Sequence, residues 1–140
     1  MTLQYLRDLR HQGTVAEIAR VMFPFPDDEH PDYETIVNEP KPKLSVGKAN
    51  GQDLFPDIVV VRRPGQWLLM MAEVETADTV NEESAQTQWL PYSMVGDLFI
   101  YVPQGCVPET KRLCKKFGVK QKGIRTWRFR PVWGLDVAKA

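Results

Sequence analysis

The chain has 140 residues, enough for one continuous hydrophobic core, so length alone predicts a single domain over 1–140. Its longest apolar run, residues 67–72, is far too short to span a bilayer, and no basic segment leads into an apolar one near the start; this predicts a soluble, cytoplasmic protein with no membrane partner. The formal charge is zero, yet from Gly105 onward ten Lys or Arg stand against only Glu109 and Asp136, so that part carries +8 and the rest −8.

In chain order, Leu3, Leu6 and Leu9 predict a short helix ended near Gly13. Thr14-x-x-Glu17 then reads as a capping box opening a second helix, with Val15, Ile18, Ala19 and Met22 as its apolar face. Prolines between Phe23 and Pro42 mark loop or extended chain, and His30 falls in a solvated acidic loop over 27–31. Residues 33–38 alternate as a strand does, with Leu44-Ser45-Val46 as its hairpin partner ahead of a Gly/Asn loop. Ile58-Val59-Val60-Val61 is β-branched and apolar on both faces, the pattern of a central strand, and Arg63-Pro64-Gly65-Gln66 turns it into a second strand over 67–75. Thr79-x-x-Glu82 offers a capping box for a helix over 80–94, striped by Ala85, Trp89 and Tyr92 and bent at Pro91. A strand over 97–102 follows. Pro108 and Gly118 then bracket a helix burying Leu113, Cys114 and Phe117, and a strand over 124–129 closes the sheet. The two cysteines, Cys106 and Cys114, lack the C-x-x-C spacing of a zinc or redox centre. Together these elements predict an α/β fold, a mixed sheet flanked by helices.

Glu73 and Glu75 are two apart on a strand, so both side chains leave one face while Val74 points the other way. If the hairpin is centred on Gly65, Asp57 lies directly across from Glu73, with Cβ atoms roughly 5 Å apart. A register shifted by one residue would send Asp57 to the other face. Carboxylates this close repel unless a cation joins them, and hard oxygen ligands on adjacent strands suit Mg²⁺ or Mn²⁺. The other reading is a set of acids solvated at the sheet's edge.

Pro56-Asp57, a strand, a turn and Glu73-Val74-Glu75 resemble the PD-(D/E)XK nuclease superfamily. Gln88-Trp89-Leu90-Pro91-Tyr92 is similar to the Gln-x-x-x-Tyr motif of its RecB-like branch, and the resemblance covers residues 14–129. It implies a restriction-endonuclease-like αβββαβ core in which Asp57 and Glu73 bind the metal while Gln88 and Tyr92 sit nearby and contact substrate. Gln88 falls on an inward-facing stripe and needs a partner there, either a neighbouring backbone carbonyl or the acidic site. The superfamily also places an acid on its first core helix, and Glu17 is the nearest match. Glu75 stands where the superfamily usually has lysine, as glutamate does in some of its restriction enzymes; it implies a general base, a further metal ligand, or lost activity.

Lys111, Arg112, Lys115 and Lys116 lie off the buried stripe of their helix, and Arg125, Trp127 and Arg128 follow on the last strand. Lys111, Lys115, Arg125 and Arg128 are candidate nucleic-acid contacts, with Trp127 stacking a base; otherwise they are a solvated face around a core tryptophan. The expectation is a metal-dependent nuclease hydrolysing phosphodiester bonds in DNA, with a homodimer or larger partner helping to read sequence. The alternative is a catalytically inactive nuclease-like module for nucleic-acid binding or assembly.

Overall fold

The computed structural model describes residues 2–130 and 134–140, the side chains of 129 and 130 excepted. Thr2 accepts a hydrogen bond from the Tyr5 amide through Oγ1 (3.1 Å) and so caps helix α1, Leu3–Met22. The two helices expected on either side of Gly13 are therefore one. Thr14 opens no helix: its hydroxyl donates to the Arg10 carbonyl one turn back (2.8 Å), as a threonine inside a helix can. Burial of Val15, Ile18 and Ala19 against the sheet outweighs the roughly 1 kcal/mol that Gly13 costs relative to alanine. Met22, expected on the buried face, is exposed.

Strand β1, Tyr33–Val37, pairs antiparallel with β4, Ile58–Arg62, and not with residues 44–46. The segment between them forms its own small hairpin, β2 (Lys48–Ala49) and β3 (Gln52–Asp53). Asn50 at φ 53° and Gly51 at φ 77° close it, the left-handed pair that a two-residue hairpin turn requires. β5, Trp67–Val74, returns antiparallel to β4. The main sheet has the order β1-β4-β5-β6-β7-β8. β6 (Leu98–Pro103) runs parallel to β5 and β7 (Gly123–Arg130) parallel to β6, while β8 (Gly134–Lys139) is antiparallel to β7. The strand over 124–129 thus does not close the sheet; β8 lies outside it.

Parallel neighbours need long crossovers, and helices supply both. In the first, Asn81 rather than Thr79 is the cap, its Oδ1 accepting from the Ser84 amide (2.8 Å), and α2 spans Glu82–Ser84. It runs into a π-helical stretch, Ala85–Trp89, and then α3, Leu90–Val95. Pro91 has no amide hydrogen, and its ring crowds the carbonyl a turn back. The π stretch ends just ahead of it and leaves Pro91 in the first turn of a new α-helix, where proline is tolerated. In the second crossover, α4 spans Val107–Phe117, with Pro108 in its first turn and Gly118 at φ 69° after its last.

Apolar side chains fill both faces of the sheet. Val15, Ile18 and Phe23 pack on Ile58, Val60, Ala72 and Val74 on the α1 side. Trp89, Tyr92 and Leu113 pack with Met71, Leu98 and Ile100 on the other. Each such side chain contributes roughly 1.5–3 kcal/mol on burial. Alternation along β5 therefore turns Ala72 and Val74 toward α1, and Met71 with Glu73 toward α3. No described helix is long and apolar enough to cross a membrane.

Candidate metal centre

The hairpin register depends on an irregularity. Beside the turn, Arg62 faces Trp67 and Val61 faces Leu68; a bulge between Val60 and Val61 then shifts the ladder, so that Val60 faces Met70 and Ile58 faces Ala72. One residue further, Asp57 meets Glu73; without the bulge it would meet Ala72. The Asp57 amide donates to Glu73 Oε1 (2.8 Å), and the Val74 amide donates to Asp57 Oδ2 (2.8 Å). Each carboxylate is thus fastened by the backbone of the opposite strand.

Glu75 follows on the same face as Glu73. Its Oε1 accepts from the Trp89 indole N–H (3.2 Å), and its backbone carbonyl accepts from Trp127 Nε1 (3.1 Å). Asp57, Glu73 and Glu75 are only 5%, 4% and 3% exposed, so three acids share one buried corner. Burial, then repulsion from Asp57 and Glu75, holds the Glu73 carboxyl well above the usual range. Burial likewise pushes Glu75 up to about 7, against hydrogen bonds from Thr79 and Trp89 that favour its charged form.

Two further ligand types reach this corner from α1 and from the end of β1. His11 Nε2 lies 2.9 Å from the Val74 carbonyl and 3.4 Å from Asp57 Oδ2. A carbonyl only accepts, so Nε2 carries a proton here. Burial would lower the pKa of His11, but Asp57, the Val74 carbonyl and Glu39 outweigh it and raise it to about 9. Glu39 is raised as well, by burial first and by Asp57 next. It is placed by Asn38, a buried amide with every hydrogen-bonding position used. Asn38 Nδ2 donates to the Leu44 and Pro56 carbonyls (3.0 and 2.7 Å), and Oδ1 accepts from the Lys43 and Leu44 amides (2.7 and 2.9 Å).

Donor atoms of His11, Glu39 and Asp57 lie within 4.8 Å of one another, close enough to converge on one cation with small side-chain adjustments. The donor chemistry fits a divalent ion. The surrounding cavity, about 280 Å³, is lined by six acids, Asp8, Glu39, Asp57, Glu73, Glu75 and Asp78, against only Arg7 and His11 as bases. Asp57, Glu73 and Glu75 are the buried ones, and acids crowded this closely out of water are stable when neutralised by protons or by a cation.

Of the residues singled out in the sequence, Asp57, Glu73, Glu75 and Gln88 line this cavity. Tyr92 is buried one helical turn beyond Gln88, its hydroxyl pKa raised by burial and then by Glu73, Asp57 and Glu75. Glu17 lies elsewhere: it pairs with Arg20 (2.9 Å) on the outer side of α1, and the α1 residues at the cavity are Gln4, Arg7, Asp8 and His11. Lys111 and Lys115 are exposed on α4, Arg125 stacks its guanidinium over Phe99 (5.2 Å), and Arg128 pairs with Asp136 (3.1 Å); none of the four lines the cavity.

His11 and Glu39 escaped the sequence reading. His11 shares the helical stripe of Val15 and Ile18, at spacings of four and seven, and a polar residue on an apolar stripe is the signal; dividing α1 at Gly13 hid it. Glu39 has no periodic signal, since a side-chain amide rather than a repeating element places it. Comparison with known proteins found no matching family model, no matching curated protein and no matching solved structure.

Proposed function

We propose that the chain is a divalent-metal-dependent nuclease of the PD-(D/E)XK type, hydrolysing phosphodiester bonds in DNA. The observation that carries this reading is the convergence of Asp57, Glu73 and Glu75, all buried, with His11 and Glu39 on one small cavity. Once the small β2–β3 hairpin is set aside as an insertion, the order α1, β1, β4, β5, α2–α3, β6 supports this reading, since the resemblance implies an αβββαβ core. Asp57, with His11, Glu39 and Glu73, would hold Mg²⁺ or Mn²⁺, the imidazole favouring Mn²⁺. A divalent ion bound there supplies charge to polarise the phosphate and to acidify a water.

The side chains do the rest. Water attacks phosphorus in line with the departing sugar oxygen, the P–O bond to that oxygen breaks, that oxygen takes a proton from a solvent water to leave as an alcohol, and the attacking water's proton needs an acceptor. Glu75 is that acceptor: it lines the cavity beside Asp57 and Glu73, and Trp89 fixes its Oε1. Gln88, at the cavity wall, orients the substrate strand. A chain of this size leaves sequence reading to a second copy or a larger partner; a monomer that cuts at a defined sequence would refute that.

The test incubates the chain with plasmid, linear duplex, single-stranded DNA and RNA, with Mg²⁺, Mn²⁺ or chelator. Metal-dependent cutting, abolished in Asp57→Ala and Glu73→Ala, is the expected result. Cutting that survives both substitutions would sink the proposal. Binding without cutting would instead favour the inactive module, the reading to which the lack of a lysine in the cavity lining points.

A further inference from the structure

A phosphodiester is an anion, and the cavity described above would repel it. Metal ions would offset part of that charge, but the lining also carries Asp8, Glu39 and Asp78, two of them exposed. Among the described residues only two bases line the cavity, and the Nε2 proton of His11 is directed at Val74 and Asp57. The remaining cation is Arg7. It stands one helical turn before His11 on α1, on the same face of the helix, and it lines the cavity with its side chain 47% exposed, which puts it at the solvent side, the cavity's mouth.

Arg7 is held there by a weak partner. Its Nε lies 3.4 Å from Oδ2 of Asp78, on the segment that follows β5, and the two side chains are 47% and 63% exposed. This is one long contact rather than a two-bond fork, between groups that water and salt screen well. A phosphate offers oxygens matched to the guanidinium fork and makes a stronger, bidentate pair. Asp78 is therefore displaceable by the substrate itself.

We propose that Arg7 is the substrate-binding residue that engages a nucleic-acid phosphate at the cavity mouth, with Asp78 occupying its guanidinium until substrate arrives. This rests on the nuclease reading and supplies the positive charge that the glutamate at position 75 does not. Electrostatics makes the two side chains opposite in effect: removing Arg7 weakens binding, and removing the charge of Asp78 strengthens it by freeing Arg7.

The experiment measures fluorescence anisotropy of labelled single-stranded and duplex DNA oligonucleotides with the chain in Ca²⁺, over a salt series, with probe integrity checked on a gel and folding by circular dichroism. Arg7→Gln is expected to weaken binding about tenfold and to make the dependence of log Kd on log salt shallower by about 0.7–0.9. Arg7→Lys should keep the salt slope but recover only part of the affinity, because it keeps charge and loses the fork. Asp78→Asn should tighten binding in the native background and do so much less beside Arg7→Gln. If the unaltered chain binds and Arg7→Gln binds equally with the same slope, the assignment of Arg7 is overturned while the nuclease reading stands. If the unaltered chain neither binds any probe nor cuts with Mg²⁺ or Mn²⁺, both are overturned.

Discussion

Glu75 keeps its proton to about pH 7 because it is buried beside other acids, and that sets the direction of the pH response. Between its ordinary 4.5 and about 7, the folded chain holds a proton that the unfolded chain has released, so stability falls as pH rises through that window. Glu73 acts in the same direction. His11 extends the fall: its contribution is fully present below 6.5 and is lost as pH rises through about 9. In chelator, the melting temperature should therefore drop steadily from pH 5 to 9, and Glu75→Gln should flatten the lower part of that drop. A melting temperature that rises across this range would contradict the buried-acid arrangement. At this scale the sequence was informative where strand alternation applied, since alternation put Glu73 and Glu75 on one face and a hairpin centred on Gly65 set Asp57 across from Glu73. It was silent on Glu39, whose place comes from the four hydrogen bonds of Asn38, a three-dimensional fact with no periodicity.

Among the elements, α1 shows how one residue misleads. Gly13 looked like a stop signal, yet it sits exposed within a continuous helix, and a methyl group added there would meet nothing within 4 Å. Gly13→Ala should accordingly stabilise the chain by about 0.5–1 kcal/mol in urea unfolding; a loss of stability would mean that the helix breaks there. The loop after β1 should respond the other way. Asn38→Ala leaves two carbonyls and two amides without partners, and a loss of about 2–4 kcal/mol is expected, together with weaker Mn²⁺ binding because Glu39 is no longer placed. The β4–β5 hairpin was legible because its apolar strands and turn are local, but the bulge at Val60 and Val61 was not, although it decides which residue Asp57 faces. The π stretch before Pro91 and the outer strand β8 were also hidden: the first is a packing response to proline, the second an edge strand only partly buried.

Over the whole molecule, the sheet brings acids at the open end of the β4–β5 hairpin together with α1 and the segment after β1, while the basic stretch from Gly105 onward builds α4, β7 and β8. The mixed α/β class was legible from the alternation of helices and strands; the meeting of α1 and the β1 loop over one end of the hairpin was not, because it joins segments far apart in sequence. A cation bound at that meeting would couple metal binding to folding. Mg²⁺ or Mn²⁺ should raise the melting temperature, and more at pH 8 than at pH 5.5, since His11 and the carboxyls must shed protons to act as ligands. An equal effect at both pH values would mean that the ions bind elsewhere. The most direct measurement of the centre itself is a Mn²⁺ titration followed by electron paramagnetic resonance at pH 8, on the unaltered chain, His11→Gln and Asp57→Asn. Binding by the unaltered chain, weakened in His11→Gln and lost in Asp57→Asn, is the predicted result. Absence of bound Mn²⁺ in the unaltered chain, or binding that Asp57→Asn leaves unchanged, would contradict a metal centre at this cavity.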